Sequence, residues 1–151
     1  MKRIIPFLIF GCFCKINGFA QTEDDTVKIA VNKLFIAMKN SDARGLKESF
    51  TDSAILQSLA KNKEGNFFVE NEKIQEFIEI VSKLPAGDAD ERILFESIKI
   101  DGPLAIVWAP YKFYYKGKFS HCGVDSFQLV KINGTWKIQV LIDTRRKENC
   151  E

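Results

Sequence analysis

Asn133-Gly134 lies between two runs of alternating apolar and polar residues, and no other feature of the chain constrains the fold as tightly. Both central residues of a type I′ turn need positive φ, which Asn and Gly tolerate best, and the twist of that turn suits paired strands. A hairpin is therefore expected from about Val124 to Arg146, with Ile132 opposite Thr135. Every later pair then follows: Leu129 with Ile138, Phe127 with Val140, Asp125 with Ile142, Gly123 with Thr144 and His121 with Arg146. The large apolar residues, Trp136 included, fall on one face, and a one-residue slip would invert the set. The same register puts Asp125, His121 and Arg146 on the core-side face, beyond the Phe127–Val140 layer. Val124, Val130 and Leu141, with Gln128 and Gln139, fall on the outer face, and Cys122 faces Arg145 there.

The rest of the chain places helices first and strands last. Thr26 to Lys39 carries Val27, Ala30, Val31, Leu34, Ile36 and Met38 at helical spacing, widened by Phe35. Thr22 and Asp25 form a capping box with Asp in place of Glu. Ser41 suits the N-cap of a short second helix ending at Phe50. Ser53–Lys61 reads as a strand, and Asn66–Val69 as a short extended stretch. A third helix spans Glu72–Leu84 and stops at Pro85. Arg92–Ile100 and Leu104–Tyr115 read as strands; Pro110 requires an edge, a bulge or a bend in the second. Helices gathered early and tight-turned strands late predict an α+β fold with helices on one face of a curved antiparallel sheet.

Lys2 and Arg3, the apolar run Ile4–Cys14 and the small residues of Gly18-Phe19-Ala20 form the pattern of a secretory signal peptide over residues 1–20. The mature domain, residues 21–151, would start near Gln21, in the periplasm or outside the cell. Lipoprotein processing at Cys12 and an uncleaved anchor are the alternatives; the run is too short for a membrane-spanning helix. Export changes the electrostatics. The full chain has 22 Lys+Arg and 20 Asp+Glu. Loss of Lys2, Arg3 and Lys15 leaves 19 bases against 20 acids, so the basic balance is no argument for nucleic-acid binding. Cys122 and Cys150 alone remain of the four cysteines, and in an oxidising compartment they are expected to pair; two free thiols are the alternative.

The chemistry-bearing candidates are few. His121, the only histidine, titrates closest to neutrality and is one candidate acid–base group. Asp125 is the other, because a carboxylate on an apolar face has a raised pKa unless paired. Arg146 could hold an anionic group. Tyr111 and Phe113 share one side of an aromatic strand and would wall a pocket or fill a core. One histidine and no close cysteine spacing imply no metal site, and no glycine-rich loop implies a phosphate; no cofactor is expected.

Several segments together resemble the nuclear-transport-factor-2-like superfamily, and within it the exported proteins described as lumazine-binding. They are Val31-Asn32-Lys33-Leu34-Phe35 with Asp42 and Phe50, Ala105–Tyr111, Ser120–Phe127, Trp136-Lys137-Ile138 and Asp143–Arg146. The resemblance implies a cone-shaped α+β domain with a pocket, often paired through its outer sheet face as a homodimer. It implies a small planar or amphipathic ligand bound without reaction. A small isomerase, dehydratase or hydrolase using Asp125 or His121 as base is the alternative, and an interaction module with a vestigial pocket is the third. The Asp/Tyr/Asp set of ketosteroid-isomerase-like enzymes has no residue-by-residue match in this chain.

Overall fold

The computed structural model describes residues 22–150; the expected signal peptide, Cys12 and the Gln21 start lie outside the described residues. Helices α1 (Glu23–Lys39) and α2 (Ala43–Ser49) come first, followed by strands β1 (Phe50–Lys61) and β2 (Phe67–Glu72) and by helix α3 (Ile74–Ser82). Strands β3 (Ala89–Ile93), β4 (Ser97–Asp101), β5 (Leu104–Tyr115), β6 (Lys118–Ile132) and β7 (Thr135–Thr144) complete the domain. The strands form one curved, unclosed sheet in the order β2-β1-β7-β6-β5-β3, with β4 also paired to β5. The expected α+β class holds. One pairing was invisible locally: β1 lies parallel to β7, and so brings the N-terminal half of the chain into the C-terminal hairpin.

The capping box at α1 forms as expected, with the Thr22 hydroxyl accepting from the Asp25 N–H and the Asp25 carboxylate accepting from the Thr22 N–H. Val27, Val31, Leu34, Phe35 and Met38 of α1 are buried against the sheet, whereas Ile36 is 61% exposed and Phe35 takes the inward place expected of it. Asp42, not Ser41, caps α2 and accepts from the Gly45 N–H at 3.0 Å. Ser41 sits at φ 55° with its hydroxyl donating to the Leu84 carbonyl, tying the α1–α2 turn to the end of α3. The helix expected through Phe50 stops one residue earlier, because Phe50 already pairs with Ile138 of β7.

The expected Arg92–Ile100 strand is divided into β3 and β4. Both pair with β5, and the break falls beside Pro110, whose carbonyl accepts from the Leu94 N–H at 2.8 Å. Proline has no N–H to offer a ladder, so the neighbouring strand is interrupted where Pro110 sits. The Asn133-Gly134 turn has φ values of 50° and 79°, the type I′ signature.

The hairpin register holds from Ile132–Thr135 to Leu129–Ile138 and then shifts by one residue. Beyond that point Gln128 faces Val140, Phe127 faces Leu141, Asp125 faces Asp143 and Cys122 faces Arg146. Gln139 is the extra residue of a β-bulge. Its side chain is held from β1: the Thr51 hydroxyl donates to Gln139 Oε1 at 2.8 Å, and Gln139 Nε2 donates to the Ser53 carbonyl at 3.1 Å. The expected pairs Phe127–Val140, Asp125–Ile142, Gly123–Thr144, His121–Arg146 and Cys122–Arg145 are therefore corrected. Leu141 moves from the outer face to the buried one. The consecutive apolar residues Val140-Leu141-Ile142 satisfy either register, so local pattern alone did not reveal the shift.

Cys122 and Cys150 form a disulfide with Cα atoms 5.8 Å apart, tying the tail to the convex side of β6. Closing a loop of this length contributes roughly 3 kcal/mol in the chain-entropy model.

Candidate functional site

The concave face of the sheet is apolar near the Asn133-Gly134 turn and polar at its other end. Ala105, Val107, Phe127, Leu129 and Ile138 are buried beneath α1, and Phe35 packs edge-on against Phe127. One step further along β6 lies Asp125, then Gly123 and His121, facing Ala109, Tyr111 and Phe113 of β5. The bulge adds Asp143 of β7 and Arg145 just past its end, and β3 contributes Glu91 opposite Phe113. Helix α3 and strand β2 stand over this end. The cavity they enclose has a volume of about 600 Å³. Phe77 and Ile80 of α3, Phe113, Tyr115 and His121 form much of its wall, and its acids are Glu70, Glu72, Glu76, Glu91 and Asp143.

Gly123 makes the floor possible. A Cβ there would collide with the Thr144 carbonyl and lie 2.7 Å from Tyr111 Cε1. Tyr111 therefore lies against bare backbone, with its hydroxyl 3.1 Å from Asp143 Oδ2 and 2.9 Å from the Thr144 carbonyl. Burial and then the Asp143 charge push the Tyr111 hydroxyl above its ordinary range, so it stays a donor. Arg145 Nε donates to Asp143 Oδ2 at 2.9 Å, and Nη2 donates to the Ser58 hydroxyl at 2.7 Å and to Glu72 Oε1 at 3.0 Å. Burial opposes the Arg145 cation, but the hydrogen bond and charge of Asp143 outweigh it and keep it protonated. This network joins β7, β1 and β2.

The carboxyl pair behind it has no such cation. Asp125 is 3% exposed, and no donor among the described residues reaches its Oδ2. Its hydrogen-bonding neighbour is the Glu91 carboxyl. Two carboxylates bond to each other only when one carries a proton, and like charges in a desolvated site cannot both ionise cheaply. Burial, then the Glu91 charge, raises Asp125 well above its ordinary value. Burial is also the chief cause that pushes Glu91 up to about 7, against the hydrogen bond from Asp125. Near neutrality the two therefore keep at least one proton between them, and Glu91 is the member that lines the cavity.

His121 lines the cavity between Tyr111 and Phe113, with ring centroids 5.7 and 5.1 Å away. Its Nδ1 lies 3.1 Å from the Ser120 hydroxyl. Burial and then the Arg145 charge lower its pKa, so the ring is neutral at pH 7. His121, Asp125, Tyr111 and Phe113 are thus brought to one end of the sheet. Arg146 is not. The bulge turns it to the convex side opposite Cys122, where its Nε donates to the Asn149 carbonyl at 3.2 Å. Arg145 holds the place expected of Arg146. Asp143 and Glu91 were not anticipated: the first depends on the bulge, the second on a β3–β5 pairing that no turn sequence fixes.

A family model with the description "Putative lumazine-binding" matches residues 22–140. The chain belongs to that family. The fold is similar to an NTF2-like (nuclear-transport-factor-2-like) protein of unknown function from Shewanella baltica, at 16% identity and TM-score 0.63, covering 83% of this chain and 95% of that one. An NTF-2-like protein of unknown function from Shewanella oneidensis gives 16% identity and TM-score 0.63, with 82% and 99% covered. A protein of unknown function with a cystatin-like fold from Nostoc punctiforme gives 14% identity and TM-score 0.64, with 84% and 95% covered. These likenesses establish the nuclear-transport-factor-2-like fold. No curated protein matches the chain.

Proposed function

We propose that this member of the family binds a small planar or amphipathic molecule in the cavity beneath α3 without transforming it. The observation that carries the reading is a roughly 600 Å³ space whose walls include Phe77, Ile80, Phe113 and Tyr115, and whose polar groups gather at one end. A largely apolar cavity with a few convergent polar groups is the usual form of a ligand site. Native mass spectrometry of protein purified without denaturation tests it: a co-purifying small molecule is expected, and His121→Ala should weaken its retention while leaving the melting temperature nearly unchanged. A lower melting temperature with undiminished retention would make His121 a structural residue only.

An acid–base enzyme is the second reading, favoured by Glu91, a cavity-lining carboxyl held at about 7, with His121 lining the same cavity from β6. Such a group is poised to give or take a proton near neutrality. Asp125 lies behind it and would act through Glu91. Incubating the co-purified molecule with the protein in D2O distinguishes the two: deuterium gain or conversion of the molecule means catalysis, and an unchanged mass means binding.

Two further parts of the proposal concern the assembly and its location. Ile106 and Trp108 are nearly half exposed on the outer face of β5, next to Val124 and Val130 of β6, and this face suits a homodimer. A monomeric mass by light scattering at high concentration would reject it. Export with cleavage near Gln21 follows from the N-terminal pattern; intact mass of the mature protein tests it, and a lipid on Cys12 would favour the lipoprotein route.

A further inference from the structure

From the acidic, aromatic lining of the cavity beneath α3, we infer that its ligand is an organic cation with a flat apolar body; this rests on the ligand-binding reading above. Five acids line the space against two bases, Lys73 and Arg145. Both bases are already engaged. Lys73 pairs with Glu76 at 2.7 Å, and Arg145 is held by Asp143 and Glu72 at 2.9 and 3.0 Å. Among the described residues, Glu70, Glu91 and Asp125 form no ion pair with any base. Arg145, the one group suited to hold an anion, spends Nε and Nη2 on protein partners.

A second observation points the same way. Asp143 is 9% exposed and lines the cavity, yet its Oδ1 meets no donor among the described residues. A buried carboxylate oxygen left without a donor keeps its negative potential, which adds to the acidic character of this wall. The aromatic surfaces complete the case. Phe77, Phe113 and Tyr115 line the same space, and aromatic rings attract cations through their faces. An anion would meet net like charge.

The test uses three fluorescent tricyclic probes of similar size on the native protein: cationic proflavine, neutral acridone and anionic anthracene-9-carboxylate. Proflavine should bind at least tenfold more tightly than the anion, with acridone between them. The preference should shrink several-fold in 0.5 M NaCl and in Glu70→Gln, an exposed position whose substitution leaves the fold intact. Equal or tighter binding of anthracene-9-carboxylate would overturn the cation assignment while leaving the ligand-binding reading in place. If no probe binds, the cation assignment falls, and native mass spectrometry decides separately whether the cavity holds anything. A proflavine preference unmoved by both Glu70→Gln and salt would place the dye outside this cavity and overturn the assignment as well.

Discussion

The two ends of the concave face are built by the same three strands and could hardly differ more. Near the Asn133-Gly134 turn, Phe127, Leu129 and Ile138 are 0% exposed and packed under α1. At the other end, past the bulge at Gln139, the inward positions carry Asp125, Asp143, Arg145 and His121. The first end gains from removal of apolar area, so nothing about it depends on protonation. The second buries charge, and is tolerable only through a connected network and a shared proton. One end fixes the fold, and the other is free to be chemical because the first is so well packed.

Five substitutions would break or sharpen that contrast. Phe127→Ala should cost about 4 kcal/mol in urea unfolding, the usual penalty for emptying an aromatic core site. The loss should be the same at pH 5 and pH 8; a strongly pH-dependent loss would mean the two ends are not separate. Arg145→Ala comes next, at about 2 kcal/mol, because it takes charge-assisted bonds from Asp143, Glu72 and Ser58 although the arginine itself is half exposed. Arg146→Ala should change stability by less than about 0.5 kcal/mol, as exposed substitutions do. Equal effects of the two would refute the bulged register.

Glu91→Gln tests the shared proton, with an effect of roughly 2 kcal/mol across the pH range. Glu91 is raised from 4.5 to about 7 by folding. Its contribution is therefore complete below pH 4.5 and is lost as pH rises through 7. His121 has the opposite sign, since its lowered pKa favours the folded state as pH rises past its unfolded value. The wild-type profile sums these with the other shifted groups, Asp125 among them, and the variant removes the Glu91 contribution. Glutamine stays neutral and can donate to Asp125, so the variant should gain on wild type steadily from pH 5 to pH 8 in parallel thermal melts. A constant offset would show that folding does not raise Glu91. A smaller effect than that of Glu91→Gln is expected at the apolar end's margin. Thr22→Ala removes a capping hydroxyl at about 1 kcal/mol, uniformly with pH.

Much of this was legible in the sequence. Asn133-Gly134 determined a type I′ turn, because few other dipeptides accept positive φ twice. Thr22 and Asp25 announced the start of α1, and Pro110 announced an interruption that turned out to lie in its neighbour. His121, Asp125, Tyr111 and Phe113 were brought to one end by a turn and a period of two, both local properties of the chain. What only the tertiary structure decided is which arginine and which carboxylates join them. Val140-Leu141-Ile142 is apolar at every position, so the strand reads the same in two registers. The choice was made by Thr51 and Ser53 of β1, which hold the bulged Gln139 from nearly ninety residues away. Once Gln139 is set aside, parity carries Asp143 and Arg145 inward and Arg146 out. Glu91 joined them through β3, whose place on β5 depends on long-range pairing. Turn chemistry and periodicity act over a few residues and leave a sequence signature, whereas a bulge stabilised across the sheet leaves none.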